Sequence, residues 1–317
     1  MRHVFIINPK AGKNAAALKI ADEIKEYFSV HGGEYALRMT QYEGHATEIA
    51  KEECEKGDDV RIYACGGDGT LMETISGAYG FENAEVTAVP CGSGNDYIRT
   101  YGTSEDFLNI ADLIQGQAIT VDAIKCKDKL SLNICAMGMD ADVADKMTRF
   151  KNWPFVSGSM AYKLAIINVF FHRFGRDLKI EIQTPDGVVK RSGRYLFVVT
   201  ANGQYYGGGY RSAPNAVTDD GILDFVLIKV IHRYQVPKFL ATYKKGEHLS
   251  DDRCERICGT GIKIISKTPA VVTADGQCFS DTEIDCNILK KAFRFALPAK
   301  LIAKRNKTEN TETAAVN

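Results

Sequence analysis

The chain has 317 residues, 45% of them apolar and 25% charged, a composition that excludes a disordered protein and predicts a folded globular one. Lys plus Arg and Asp plus Glu each total 40, so the net charge is zero, which argues against a general nucleic-acid binder with its basic excess. Nine cysteines lie scattered through apparent strands and helices; Cys254 and Cys258 lack a second Cys/His pair to complete a zinc site, so all nine read as reduced packing residues.

Val4-Phe5-Ile6-Ile7 is a short apolar run that breaks at Asn8-Pro9-Lys10-Ala11-Gly12. Ala17, Ile20, Ala21, Ile24 and Phe28 then recur at helical spacing until Gly32-Gly33. A second helix follows Gly44, with Ala46, Ile49 and Ala50 on one face. Val60 to Cys65 is the next strand, leading into Gly66-Gly67-Asp68-Gly69-Thr70. Val86 to Val89 is another, leading into Pro90-Cys91-Gly92-Ser93-Gly94-Asn95-Asp96. Buried strands followed by glycine-rich turns and helices predict a parallel, doubly wound α/β domain, whose ligands bind outside the carboxyl ends of the strands.

From about residue 120 the period changes to two. Leu178 to Ile182, Arg194 to Thr200, Ile222 to Val230, Ile262 to Ile265, Ala270 to Ala274 and Ile284 to Leu289 read as short strands of an antiparallel β-sandwich. Trp153 to Phe174 reads as a helix, aromatic and basic on its faces, with Ile166, Ile167, Phe170 and Phe174 fitting a buried stripe. Its cations could instead rest on an anionic membrane surface. Residues 304–317 are polar and predicted to be disordered. The N-terminus shows no signal-peptide core and no run of about 18 apolar residues occurs, so a cytoplasmic protein is expected.

Three loops suit one physical role. Asn8 to Gly12 joins a strand to a helix, where backbone N–H groups can face a phosphate; it lacks the spacing of a Walker A loop. Gly66 to Thr70 has three glycines in four positions, which let the backbone approach a ligand or adopt positive φ, around one carboxylate able to hold magnesium. Pro90 to Asp96 repeats the arrangement one strand later. Two acidic, glycine-rich loops at adjacent strand ends suggest Mg-nucleotide binding and phosphoryl transfer.

With these motifs the sequence resembles the diacylglycerol kinase catalytic family, which includes sphingosine, ceramide and bacterial lipid kinases. The matching residues are Asn8-Pro9 with Gly12, Thr40 with Gly44, Gly66 to Thr70 with Glu73, and Pro90 to Asp96 with Arg99. Further along they are Gly207-Gly208-Gly209, Pro214, Asp220 to Asp224 and Asp275-Gly276. The resemblance implies a nucleotide-binding α/β domain related to those of phosphofructokinases and NAD kinases over 1–122, to which 294–303 return. It implies a β-sandwich over 123–293 carrying the catalytic base, and a tail at 304–317. ATP contacts would fall on Asn8, Pro9, Lys10, Ala11, Gly12, Thr40, Gly66, Gly67, Asp68, Gly69, Thr70, Leu71, Met72 and Ser93. Asp68 and Asp96 would hold the catalytic Mg2+ through water, and Asp275 would be the general base. A structural cation would bind Asp220 and the carbonyls of Val217 and Ile222. The partners implied are ATP, a lipid alcohol with diacylglycerol first, and a peripheral membrane surface; monomer and homodimer both stay open. Gln277 departs from the family, which usually has Glu there.

Two other functions compete. An NAD kinase-like enzyme with a soluble substrate shares the Gly-Gly-Asp-Gly loop, but does not account for Pro90 to Asp96, Asp220-Gly221 or Asp275-Gly276. A non-catalytic nucleotide- or lipid-sensing module is motivated by Gln277 alone.

Overall fold

The computed structural model describes residues 1–12, 16–92, 94–138, 146, 164 and 174–316, with side chains as far as 307. The chain divides into two compact units, 1–121 with 291–317, and 122–290.

In the first unit β1 (Arg2–Ile7) lies between β2 (Tyr35–Met39) and β3 (Val60–Gly66), and β3 pairs with β4 (Ala84–Pro90). All these pairs are parallel, and every residue of β3 and β4 is buried, as befits strands covered on both faces. The long last strand, β13 (Gln277–Leu297), ends beside β4, pairing Arg294 with Glu85 and Phe295 with Val86 in parallel. Helix α1 (Ala16–His31) buries Ala17, Ile20, Ala21, Ile24 and Phe28, the stripe its spacing predicts. It ends where Gly32, at φ 68°, donates its N–H to the carbonyl of Phe28. Helix α2 (His45–Glu55) starts from Gly44 at φ 90°. Gly77 of α3 (Asp68–Ala78) lies so near α2 that a Cβ there would meet the Thr47 carbonyl at 2.2 Å. The buried charge is paired: Arg61 and Glu85, 2.7 Å apart, bond further to the carbonyls of Leu113 and Ile114 and to Arg294.

The second unit is antiparallel. β5 (Gln117–Cys126), β6 (Lys129–Ser131), β7 (Ile134–Gly138), β8 (Arg176–Thr184) and β9 (Gly187–Ala201) precede β10 (Leu223–Lys229), β11 (Cys254–Gly259) and β12 (Gly261–Ala274). The order runs β11-β10-β9-β7-β12-β13, with β8 against both β9 and β12, and β5 against β13. The two segments expected at 262–265 and 270–274 are one strand, whose pairing with β13 jumps between Ile265 and Ala270. Two buried clusters flank the sheet layers: one inside the sandwich around Ile180, Phe225 and Ile264, the other joining β9 and β10 to the helix Val236–Lys245 through Val236, Phe239 and Tyr243.

Two segments differ from or lie outside the elements read from the sequence. Residues 304–316, expected to be disordered, continue the helix Ala299–Val316. Scarce large apolar groups limit what a helix can bury, yet Ala, Lys and Glu remain good helix formers. The helix expected over 153–174 falls on residues outside those described, save Leu164 and Phe174; Phe174 itself is buried in the cluster beside the helix Val236–Lys245.

Candidate active site

The carboxyl ends of β1, β3 and β4 bring three loops of the first unit together, Asn8 to Gly12 and the two glycine-rich ones. The Gly66 carbonyl accepts the N–H groups of both Cys91 and Gly92, which ties the second loop to the third. A Cβ on Gly92 would stand 2.6 Å from Cα of Gly67, and one on Gly12 would stand 2.3 Å from the Cys91 carbonyl oxygen. Glycine is therefore required by close approach of backbones. The positive φ expected within Gly66 to Gly69 is not found; Gly67 is extended at φ −105°. The left-handed positions are Gly12 at φ 80° and Asn95 at φ 54°. Asn8 links loops one and two, its side-chain amide donating to Thr70 Oγ1 at 3.3 Å while its Oδ1 accepts the Lys10 N–H. Thr40 follows β2 and donates its N–H to the Ile7 carbonyl, at the same end of the sheet. Leu71 and Met72 have buried side chains within α3 and support the loop from behind. Ser93 lies outside the described residues.

Asp68 opens α3, and its two carboxylate oxygens accept the N–H groups of Asn95 and Asp96, both at 2.7 Å. Gly94 has no room for a side chain, since a Cβ would meet Asp68 Oδ2 at 2.3 Å. Burial, and then the charge of Asp96, hold the Asp68 carboxyl above the usual carboxylate range. Asp96 is buried and pairs with Arg99 at 3.3 Å. Two carboxylates that repel one another, both oxygen donors and both at helix or loop starts, fit a hard divalent cation such as Mg2+. Glu73 serves the scaffold instead, accepting the Ala46 N–H at the start of α2.

In the second unit Asp275 occupies the tip of the β12–β13 hairpin at φ 43°. Its carboxylate accepts three backbone N–H groups, from Leu132 (2.8 Å), Asn133 (3.1 Å) and Ile134 (2.9 Å), and its own N–H goes to the Ile134 carbonyl. Gln277, two residues on, is exposed. Asn202, fully buried, secures the same segment by donating to the carbonyls of Leu132 and Asp122.

The loop Val217 to Ile222 closes on itself and on Asp122. Asp220 Oδ1 accepts the Ile222 N–H at 3.0 Å, while Asp122 Oδ2 accepts the Gly221 N–H at 2.7 Å and its own N–H goes to the Thr218 carbonyl. Burial first, then the charges of Asp224, Asp122 and Asp219, raise the Asp220 carboxyl above its usual range. An all-oxygen loop in the field of four carboxylates fits a divalent cation. Asp122 and Asn202 are the residues that sequence reasoning missed. Asp122 is fully buried, and its signal was a lone acid inside the apolar run Val121-Asp122-Ala123-Ile124. Elsewhere in this unit, Lys146, Arg176, Arg194 and Lys267 line a cavity of about 820 Å³ together with Asp177 and Phe279.

Comparison with known proteins agrees with this organisation. Residues 2–126 match the family described as the diacylglycerol kinase catalytic domain, and 133–296 match the YegS C-terminal NAD kinase beta sandwich-like domain. A diacylglycerol kinase of Bacillus subtilis is 27% identical over 277 residues, covering 86% of this chain and 88% of its own. One of Staphylococcus carnosus is 26% identical over 275 residues, covering 86% and 87%. A crystal structure of a putative diacylglycerol kinase from Bacillus anthracis superposes with a TM-score of 0.75 at 22% identity, over 95% of this chain and 96% of that one, which shows a shared fold. The chain belongs to the diacylglycerol kinase catalytic family and is a lipid kinase, a phosphotransferase with an α/β catalytic domain and a β-sandwich domain.

Proposed function

We propose that the protein transfers the γ-phosphoryl group of ATP to the hydroxyl of diacylglycerol in a magnesium-dependent reaction. The observation that carries this reading is the joined set of loops around Asp68: three backbones packed against one another at strand ends, with the Asp68 carboxylate bonded to the backbone of Asn95 and Asp96 and under the charge of the Asp96 carboxylate. Such loops leave N–H groups and a helix start for phosphates, and Asn8 to Gly12, Thr40 and Gly66 to Thr70 are the segments that would take ATP. Magnesium, held there by Asp68 and Asp96, would neutralise charge on the phosphates.

Phosphoryl transfer asks the protein mainly for positioning and charge neutralisation. Asp275 would accept the proton of the attacking hydroxyl, and the three N–H donors that grip its carboxylate fix the direction it faces. A second cation, held by Asp220 with the carbonyls of Val217 and Ile222, would brace the loop beside Asp122. The basic cavity lined by Lys146, Arg176, Arg194 and Lys267 supports contact with an anionic membrane surface during lipid capture. Among the described residues no helix is long and apolar enough to cross a membrane.

The test is a panel of lipid alcohols in mixed micelles, given ATP with magnesium or with a chelator and read by mass spectrometry. Phosphatidic acid formed from diacylglycerol only with magnesium is the expected result. Phosphorylation of a soluble substrate with no lipid product would replace this reading with the NAD kinase-like one.

A further inference from the structure

Cys126, Cys135 and Cys286 come from three different strands, β5, β7 and β13, and meet inside the sandwich of the second unit. Their sulfur atoms all lie within 4.8 Å of one another. They are 0%, 3% and 1% exposed and sit among Ile124, Met137, Ala274 and Ile284. The register fixes them there: Cys135 pairs with Ala274 and Thr200, Cys286 pairs with Ile262, and the Lys127 N–H bonds to the Asp285 carbonyl where β5 meets β13.

We propose that these three cysteines form a trigonal three-sulfur site, two thiolates and one thiol, for a soft monovalent metal ion, with Cu(I) as the ion it takes. Three sulfurs around one ion at bonds of about 2.3 Å stand about 4 Å apart, which the observed span accommodates. The donors are all sulfur, the choice of a soft cation. Among the described residues the group has three donors, whereas a closed zinc site takes four. Charge decides the same way. Two thiols lose their protons to solvent as two copper–sulfur bonds form, and the third sulfur donates a lone pair while keeping its proton. The site then carries one negative charge, and three thiolates around Cu(I) would bury two. An ion here would tie three strands of the sandwich to one point, so its binding is linked to folding.

The test uses the full chain with Cys254, Cys258 and Cys278 changed to Ser, which removes the half-buried and exposed thiols and leaves the trio with the buried Cys54, Cys65 and Cys91, present alike in both chains compared. It is unfolded, refolded without oxygen with Cu(I) buffered by a chromogenic chelator, and compared with a second chain that also carries Cys126→Ala and Cys286→Ala. Expected are one copper withdrawn per chain, an ultraviolet thiolate-to-copper band, and a higher melting temperature than the copper-free protein. The second chain should withdraw none; its melting curve, taken without metal, reports whether it folds. No copper taken up by the first, well-folded chain overturns the proposal, as does equal uptake by both folded chains. Zinc bound as tightly as Cu(I) overturns the assignment of the ion. If the second chain does not fold, the band and melting rise in the first chain decide, and absence of either counts against the site.

Discussion

Asp68 and Asp275 use one device with opposite outcomes. Each carboxylate reaches across to the backbone of another loop, Asp68 to two N–H groups and Asp275 to three. Asp68 also faces a second carboxylate, Asp96, and with burial this pushes its carboxyl up. Arg99 pairs with Asp96, while the Asp68 carboxylate is met by backbone N–H groups. Asp275 is set by a hairpin tip against N–H dipoles, which would suit the general base proposed for it. The comparison teaches that a carboxylate bonded to backbone is not thereby structural; what matters is which charges surround it.

The largest expected effect breaks the second half of this comparison. Asp275→Asn should lower turnover by roughly 10²–10⁴-fold, the range for losing a general base. The new amide also points N–H groups at N–H groups, so melting should drop by about 1–3 kcal/mol of stability. A variant with that stability loss and wild-type turnover would leave Asp275 as a loop anchor only.

The third acid, Asp220, shares the raised carboxyl of Asp68 but sits in a loop of its own. Magnesium at about 100 times its dissociation constant should add roughly 3 kcal/mol to the wild type. Asp220→Ala should melt lower and lose that rise, and a full magnesium-dependent rise in the variant would rule the site out.

Protons offer a comparable perturbation of the second unit. Burial lowers His248 to about 4 from an ordinary 6.5, opposed by its bond to the Ser212 carbonyl. Between these values the unfolded chain binds the proton and the folded one does not, so stability should fall as pH drops from about 6.5 to 4. The contribution is up to about 3 kcal/mol. His248→Asn should flatten that part of a melting-versus-pH curve; an unchanged slope would place the effect elsewhere.

The smallest effect is expected from Gln277→Glu. The residue is exposed beside the hairpin tip, so the change should leave turnover unchanged or raise it modestly. A clear loss would mean that Gln277 suits this enzyme's own substrate.

The α/β unit was the more legible half. β3 and β4 are buried throughout, so they stand out as unbroken apolar runs, and each ends in a glycine cluster. β2 and β11 were missed because edge strands with partly exposed residues carry no such run. The reason for the glycines was misread as well, because close approach of Gly92 to Gly67 depends on two loops far apart in sequence. The same limit hid Asp122, Asn202 and the three buried cysteines. Each is a single residue in an ordinary strand or turn, and only long-range pairing brings Cys126 to Cys286 or Asn202 to Leu132.

The most direct test of the account measures ATP affinity with and without magnesium by calorimetry on wild type, Asp68→Asn and Asp275→Asn. If Asp68 serves the nucleotide and its cation while Asp275 serves the acceptor hydroxyl, Asp275→Asn should keep wild-type affinity and its dependence on magnesium. Asp68→Asn should lose that dependence. Magnesium-dependent binding intact in Asp68→Asn, or lost in a folded Asp275→Asn, would contradict the division of labour.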